Sequence, residues 1–194
     1  MKAIARETRA KYGLLTPRVL RSDLRRVYRD QKIRIDLWPH KLRQLRGAYF
    51  SDEMGPSVML SKGLPEDPMV FTMAHELKHH LVDRELAVSY CDPSNASEPI
   101  EIGAEIFAAE LIFPEHDFAN ALKSMGIQPG ACTPNVLVRL KRETRTTLSY
   151  AALVKRATFS GFAAEGSLKG VKWKKLEEEI YGVPFYKRFR RRAG

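Results

Sequence analysis

Cysteine is nearly absent from this chain, which has only Cys91 and Cys132 among its 194 residues. Two cysteines this far apart exclude a disulfide scaffold, a cysteine zinc ribbon and a Cys-x-x-Cys redox motif, and they favour a reducing cytoplasm. Long apolar runs are lacking as well, since no stretch reaches the about 18 residues that span a membrane. The N-terminus carries charges where a secretory signal would be apolar, so neither export nor membrane insertion is expected.

Acidic residues are scarce at both ends of the chain and abundant in its middle. Residues 1–46 contain 14 Lys/Arg and 4 Asp/Glu, residues 47–138 contain 4 and 14, and residues 139–194 contain 15 and 5. The basic flanks, which include the arginine-rich run at 187–192, would attract nucleic acid or an acidic partner surface. The alternative is that they are solvated segments that only keep the protein soluble.

Hydrophobic spacing predicts an α+β fold with a small antiparallel three-stranded sheet. After a polar lead, a first helix is expected with Thr16 as its N-cap, and a second with Asp67 as its N-cap. The predicted helices cover Thr16–Gln31, Asp67–Asp83, Glu98–Phe113, Asp117–Met125, Val136–Arg142 and Leu148–Ala157, and the predicted strands cover Lys32–Trp38, Gly47–Asp52 and Ser57–Ser61.

The pattern His75-Glu76-x-x-His79 lies in an apolar segment that is itself predicted to be helical. Residues four apart project from the same face of a helix, so the two imidazoles can bind one metal ion with Glu76 beside them. This arrangement is typical of metal-assisted hydrolysis. His80 projects to another face and is interpreted as structural.

A catalytic zinc ion usually has three protein ligands and keeps one position for water, so a third ligand is needed. The following helix carries Glu101 and Glu105, four residues apart on one face. We assign Glu101 as the ligand, because Ala104 is small enough for the two helices to lie close together. Glu105 would then accept a hydrogen bond from a liganding histidine and fix its tautomer. The alternative is that both glutamates are solvent-facing helix acids.

Together, the segments 71–81 and 101–114 resemble the ImmA/IrrE metallopeptidase family, and the similarity extends over about residues 16–160. The resemblance implies a cytoplasmic, zincin-like metallopeptidase domain at 1–160 with a helical C-terminal region, followed by a basic extension at 161–194. Members of this family are often carried by phages and mobile elements and cleave helix-turn-helix repressors. The resemblance gives His75, His79 and Glu101 as zinc ligands and Glu76 as the general base, with Mn²⁺ as a substitute for Zn²⁺ in vitro.

The chain departs from the family pattern in two places. Lys78 stands where the family commonly has glycine, and the N-terminal half lacks a convincing helix-turn-helix. An alternative function is therefore a non-catalytic regulator with a structural zinc ion that binds nucleic acid through its basic flanks. Glu76 argues against it, because a structural site needs no general base. A repair protease similar to the SprT type would have a histidine as third ligand and a cysteine ribbon.

The tetrahedral oxyanion of peptide hydrolysis needs a donor besides the metal. His116, Tyr90 and Tyr150 have suitable side chains, and the sequence does not choose among them. Cys91, which lies between the two motifs, is interpreted as a loop cysteine, with a regulatory metal contact as the alternative.

Overall fold

The computed structural model describes residues 1–39, 46–86, 88–90 and 98–184, with residue 86 and residues 88–90 described by their backbone alone. These residues form two compact units. The first comprises Met1–Pro114 with Thr146–Ser149, and the second comprises Glu115–Arg145 with the described residues from Tyr150 onward. No helix in the described part of the chain is both long and apolar enough to span a membrane.

The first unit contains helices α1 (Lys2–Tyr12), α2 (Arg21–Asp30), α3 (Glu66–Val82) and α4 (Pro99–Ile112). The N-cap predicted at Thr16 is wrong, since α2 begins after Leu20, whose backbone N–H donates to Asp23 Oδ2 at 2.9 Å. A carboxylate at the third helical position satisfies a backbone donor at the start of a helix, so Asp23 and not Thr16 fixes this end. Helix α3 likewise begins one residue before Asp67, with Pro65 as its N-cap.

Helix α1 occupies the segment that was expected to be a polar lead. Its buried face consists of Ala5, Thr8 and Arg9, so it lacks the large apolar stripe by which helices are recognised in a sequence. Polar contacts attach it to α4. Arg6 Nε donates to Glu110 Oε1 at 3.0 Å, and Arg9 donates to the carbonyl of Leu111 at 2.6 Å. The guanidinium of Arg9 thereby satisfies a carbonyl in the last turn of α4.

The strands β1 (Arg34–Trp38), β2 (Gly47–Asp52), β3 (Gly55–Ser61) and β4 (Val88–Tyr90) form a mixed sheet in the order β1-β3-β2-β4. The hairpin of β2 and β3 is antiparallel, as expected. The expectation of a wholly antiparallel, three-stranded sheet is wrong, because β1 pairs with β3 in parallel and β4 is added beside β2. Alternation of apolar and polar residues identifies a strand and its buried face, but it does not reveal the direction of the partner strand.

Helix α3 is the centre of the first unit. It contacts α2, α4 and strands β2 and β3, and side chains on all its faces are buried, as expected of a helix enclosed in a core. Its apolar core residues are Met69, Val70, Met73, Ala74 and Leu77, and the core residues of α4 include Ala104, Phe107, Ala108 and Leu111. Ala104, the small residue noted in the sequence, is among these buried residues.

The second unit is helical, with α5 (Glu115–Ser124), α6 (Pro134–Thr144), α7 (Tyr150–Phe159) and α8 (Trp173–Tyr181). The first three lie within about two residues of their predicted bounds, and α8 falls in the segment beyond residue 160. The ring of Trp173 stacks on Tyr150 with centroids 4.6 Å apart, and the Tyr150 hydroxyl donates to Glu177 at 2.5 Å. The α+β class is confirmed, whereas the domain boundary at residue 160 stays a prediction.

Candidate metal centre

His75 and His79 lie one turn apart on α3, with ring centroids separated by 5.1 Å. Both side chains are buried: His75 is 3% exposed and His79 is fully enclosed. Their four-residue spacing explains the shared face, and the fully packed helix around them fixes the direction in which the rings point. The two imidazoles expected to act together are therefore adjacent.

Glu101 reaches the same point from the first turn of α4. Its Oε2 lies 2.9 Å from Nε2 of His75, and its Oε1 lies 3.6 Å from Nε2 of His79. Among the side chains that the structure describes, these three form a cluster suited to a metal ion, with one ligand atom of each within 4.8 Å of the others. The donor atoms around one metal ion lie a few ångströms apart, so this cluster could hold such an ion.

Close approach of α3 and α4 brings the carboxylate to the histidines. Ala104, one turn beyond Glu101, is completely buried where the two helices pack together. A larger side chain at this position would separate the helices and move Glu101 away from His75 and His79. The small residue that singled out Glu101 in the sequence therefore has the expected place.

Glu76 is a fourth side chain beside this cluster, next to His75 on α3. It is 0% exposed, and neither of its carboxylate oxygens has a hydrogen-bond partner among the described residues. Burial raises the pKa of Glu76 well above its usual value, and the negative charge of Glu101 raises it further. A buried, unsatisfied carboxylate is costly, and such groups are concentrated at functional sites.

Gly47, the first residue of β2, leaves the space that Glu76 occupies. A β-carbon at this position would lie 2.8 Å from Oε1 of Glu76 and 2.5 Å from Cγ2 of Thr72. Both distances are shorter than ordinary van der Waals contacts. The backbone of β2 thus forms one wall around the carboxylate, a relationship that the sequence did not predict because it depends on how strand and helix pack.

Asp83 contacts and orients His79, a relationship that the sequence did not predict. Its Oδ2 lies 2.8 Å from Nδ1 of His79, so a proton on Nδ1 leaves Nε2 available to a metal ion. Burial and, next, the neighbouring His75 lower the pKa of His79, whereas the contact with Asp83 acts in the opposite direction. The lowered pKa favours the neutral imidazole, which is the form that binds metal.

Glu105, which was expected to fix a histidine tautomer, is solvent-exposed on α4. At His79 that role is filled by Asp83. The four-residue spacing that pairs His75 with His79 also pairs His79 with Asp83, so the same rule extended by one turn would have found it. Glu105 lies on α4 with Glu101, whereas Asp83 lies at the end of α3.

His80 has the structural environment expected of it. Its Nδ1 lies 3.1 Å from the Tyr49 hydroxyl, and the two rings meet edge to face. Burial, with a smaller contribution from Arg84, lowers the pKa of His80 and favours its neutral form. His80 therefore anchors α3 to the sheet.

Two of the three oxyanion donors weighed in the sequence belong to the second unit. The side chain of His116 is 81% exposed there and contacts Asn120, while the Tyr150 hydroxyl is engaged with Glu177. The side chain of Tyr90 and the whole of Cys91 lie outside the described residues.

Comparison with known families gives one match, which covers two thirds of the chain. Residues 29–158 match the profile of a peptidase family described as the IrrE N-terminal-like domain, and this range contains every residue of the cluster. No protein of curated function matches the chain.

Proposed function

Because the chain belongs to the family of IrrE N-terminal-like metallopeptidases, we propose that it is a zinc-dependent endopeptidase whose centre is the His75, His79 and Glu101 cluster. One observation carries this proposal: two imidazoles and a carboxylate converge from two helices, and beside His75 lies the buried carboxylate of Glu76, which has no hydrogen-bond partner among the described residues. Metallopeptidases need this combination of a three-ligand site and a proton acceptor.

The donor set favours zinc among divalent ions. Two imidazole nitrogens with one carboxylate suit zinc, whereas magnesium and calcium prefer oxygen ligands alone. Mn²⁺ would substitute in vitro. When bound, zinc supplies a Lewis acid and lowers the pKa of its bound water to about 7.

Glu76 is the group that we assign to proton transfer. Burial raises the pKa of Glu76, so its carboxylate is a stronger base than that of an exposed glutamate. It can therefore take a proton from the attacking water and then donate it to the leaving amine. His79 is held in the ligand tautomer by Asp83, so it serves the site through Nε2 and takes no part in the proton transfer.

The proposed substrate is a helix-turn-helix transcriptional repressor or a similar regulator in the cytoplasm, cleaved at a specific site. This assignment is supported by the resemblance described above and by the segregated charge, with an acidic middle between basic ends. The basic ends would bring the enzyme to nucleic acid on which such a repressor is bound. The non-catalytic alternative does not explain a buried Glu76 whose carboxylate has no hydrogen-bond partner in the described part of the chain.

Glu76→Gln tests the proposal most directly. The variant should keep one zinc ion per chain and lose cleavage of a repressor encoded beside this protein, because the amide cannot accept the proton. His79→Ala should lose the metal as well. Cleavage by the Gln variant, or full zinc occupancy in the Ala variant, would contradict the assigned roles.

The nucleic-acid partner needs a separate experiment. Removal of residues 187–194 should weaken binding to duplex DNA and flatten the dependence of affinity on salt concentration, because fewer phosphates are neutralised. Unchanged binding would identify the run as a solubilising segment.

A further inference from the structure

Lys78 is a charged residue in the packed interior of the first unit. It lies on α3 between the two histidines and is 2% exposed. Its Nζ donates to Oδ2 of Asp83 at 2.5 Å and to the backbone carbonyl of Ile100 at 2.8 Å. A buried ammonium is costly unless it is paired and hydrogen-bonded, and these two bonds meet that requirement.

Each partner of Lys78 is connected to a proposed metal ligand. Asp83 contacts His79 through the same Oδ2 atom that accepts from Lys78. Ile100 directly precedes Glu101 in the first turn of α4. Lys78 therefore links the carboxylate that orients one ligand to the backbone that carries another.

Opposite Lys78, α4 has a glycine. A β-carbon at Gly103 would lie 3.5 Å from Cε and 3.6 Å from Nζ of Lys78, in ordinary contact, so the lysine side chain lies directly over this residue. A glycine at position 78, as is common in the resembling family, could supply neither hydrogen bond. In this chain the small residue, Gly103, lies on α4, and the long side chain of Lys78 lies on α3.

We propose that Lys78 is a positioning residue for the metal centre, which holds Asp83 against His79 and fixes the start of α4 so that Glu101 faces both histidines. The inference rests on the proposed function, because it concerns the affinity of the same metal site. Simple charge repulsion predicts the opposite effect: a cation this close to the cluster would weaken metal binding, and its removal would strengthen it.

Co²⁺ binding to the metal-free full-length protein tests the inference, with stoichiometry, dissociation constant and visible spectrum as readouts. Lys78→Met should still bind one Co²⁺ per chain, but with an affinity about tenfold weaker and with an altered spectrum, since loss of groups that orient ligands typically costs 10–100-fold in affinity. Glutamine has nearly the volume of methionine and keeps a side-chain donor, so Lys78→Gln should lose less affinity for Co²⁺ than Lys78→Met does. Lys62→Met, at an exposed position, removes the same charge and should leave affinity unchanged.

The outcomes separate positioning from packing and from charge. If the Met and Gln variants both bind Co²⁺ as tightly as wild type, Lys78 only fills space and the inference is overturned. A lowered thermal stability of these variants would not change that conclusion. Tighter Co²⁺ binding by the Met variant would mean that Lys78 acts on the site mainly through charge repulsion, and this result would also overturn the inference. If the Met variant fails to fold, the comparison of Gln with wild type decides. Wild-type protein that binds no Co²⁺ would overturn the metal site itself, and the inference with it.

Discussion

Glu76 packs directly against the backbone of Gly47, so that a β-carbon at residue 47 would lie 2.8 Å from the carboxylate. Strand β2 thereby restricts the position of the group assigned to proton transfer, while the three proposed ligands are positioned by α3 and α4 alone. Substitutions at Gly47 therefore offer a way to disturb the proton acceptor without changing the ligand set.

We expect Gly47→Ala to reduce peptide cleavage by one to two orders of magnitude while zinc binding is kept, because a displacement of about 1 Å at a catalytic group can cost about 100-fold. Overpacking against Thr72 should also lower the free energy of unfolding by about 1–3 kcal/mol. Cleavage rate, zinc content and denaturant unfolding measure the three effects. Gly63→Ala is the matched control, since a β-carbon at Gly63 would meet nothing within 4 Å. Equal activities of the two variants would contradict this role of Gly47.

Asp83→Asn should weaken zinc binding about 10–100-fold, because the amide holds the His79 tautomer less firmly than the carboxylate does. Competition with a chromophoric chelator measures the affinity. Glu105→Gln is the comparison, since Glu105 is exposed and was first expected to fill this role. If Glu105→Gln loses affinity and Asp83→Asn keeps it, then Glu105 and not Asp83 orients the histidine.

Removal of the metal should destabilise the protein, since a ligand at about 100 times its dissociation constant stabilises the folded state by about 2.7 kcal/mol. For a chain of this size such a change corresponds to a fall in Tm of about 5–11 °C. Thermal unfolding with and without a chelator measures it. The His79→Ala variant should show no chelator effect, and a shift of equal size in that variant would mean that the stabilising metal is bound elsewhere.

Cys132 provides a prediction about pH. Burial raises the pKa of its thiol to about 11 from an ordinary 9.0, so at pH 8 its thiolate fraction should be about 100-fold smaller than that of an exposed cysteine. In a Cys91→Ser background, reaction with a disulfide reagent should be slow at pH 8 and accelerate up to about pH 11. The same protein unfolded in guanidinium chloride is the control. A rate that levels off near pH 9 in the folded protein would contradict the prediction.

The same shift gives the sign of a stability effect. A thiol with a higher pKa in the folded protein contributes stability that is fully present below about pH 9 and is lost as the pH rises towards about 11. Unfolding of the Cys132→Ala variant should therefore depend less on pH in this range than unfolding of its parent.

The sequence predicted the cluster because its elements are local. His75 and His79 are related by helical spacing, and the small Ala104 one turn from Glu101 indicated which glutamate of α4 faces α3. The β2 and β3 hairpin was predictable for the same reason, since its turn residues adjoin both strands. Features that depend on residues distant in the sequence were not predicted. Helix α1 contacts Glu110 and Leu111, and β1 pairs in parallel with β3.

Gly47 and Lys78 illustrate the same limit within the site. A glycine at the start of a strand and a lysine on a helix are unremarkable in a sequence. Their roles depend on their contacts, which are with Glu76 for Gly47 and with Asp83 and Ile100 for Lys78. The burial of Lys78 in particular is not expected from its residue type, because lysines are almost never fully buried unless they are paired.

The attachment of α1 to α4 also affects the order in which the chain can fold. Arg6 and Arg9 lie 104 and 102 residues from Glu110 and Leu111, so α1 is synthesised well before its partners on α4 and can complete these contacts only after they have emerged. A fragment without the first twelve residues would keep every proposed ligand and yet leave carbonyls at the end of α4 without their donor. Helix α1 would thus complete the helix that carries Glu101.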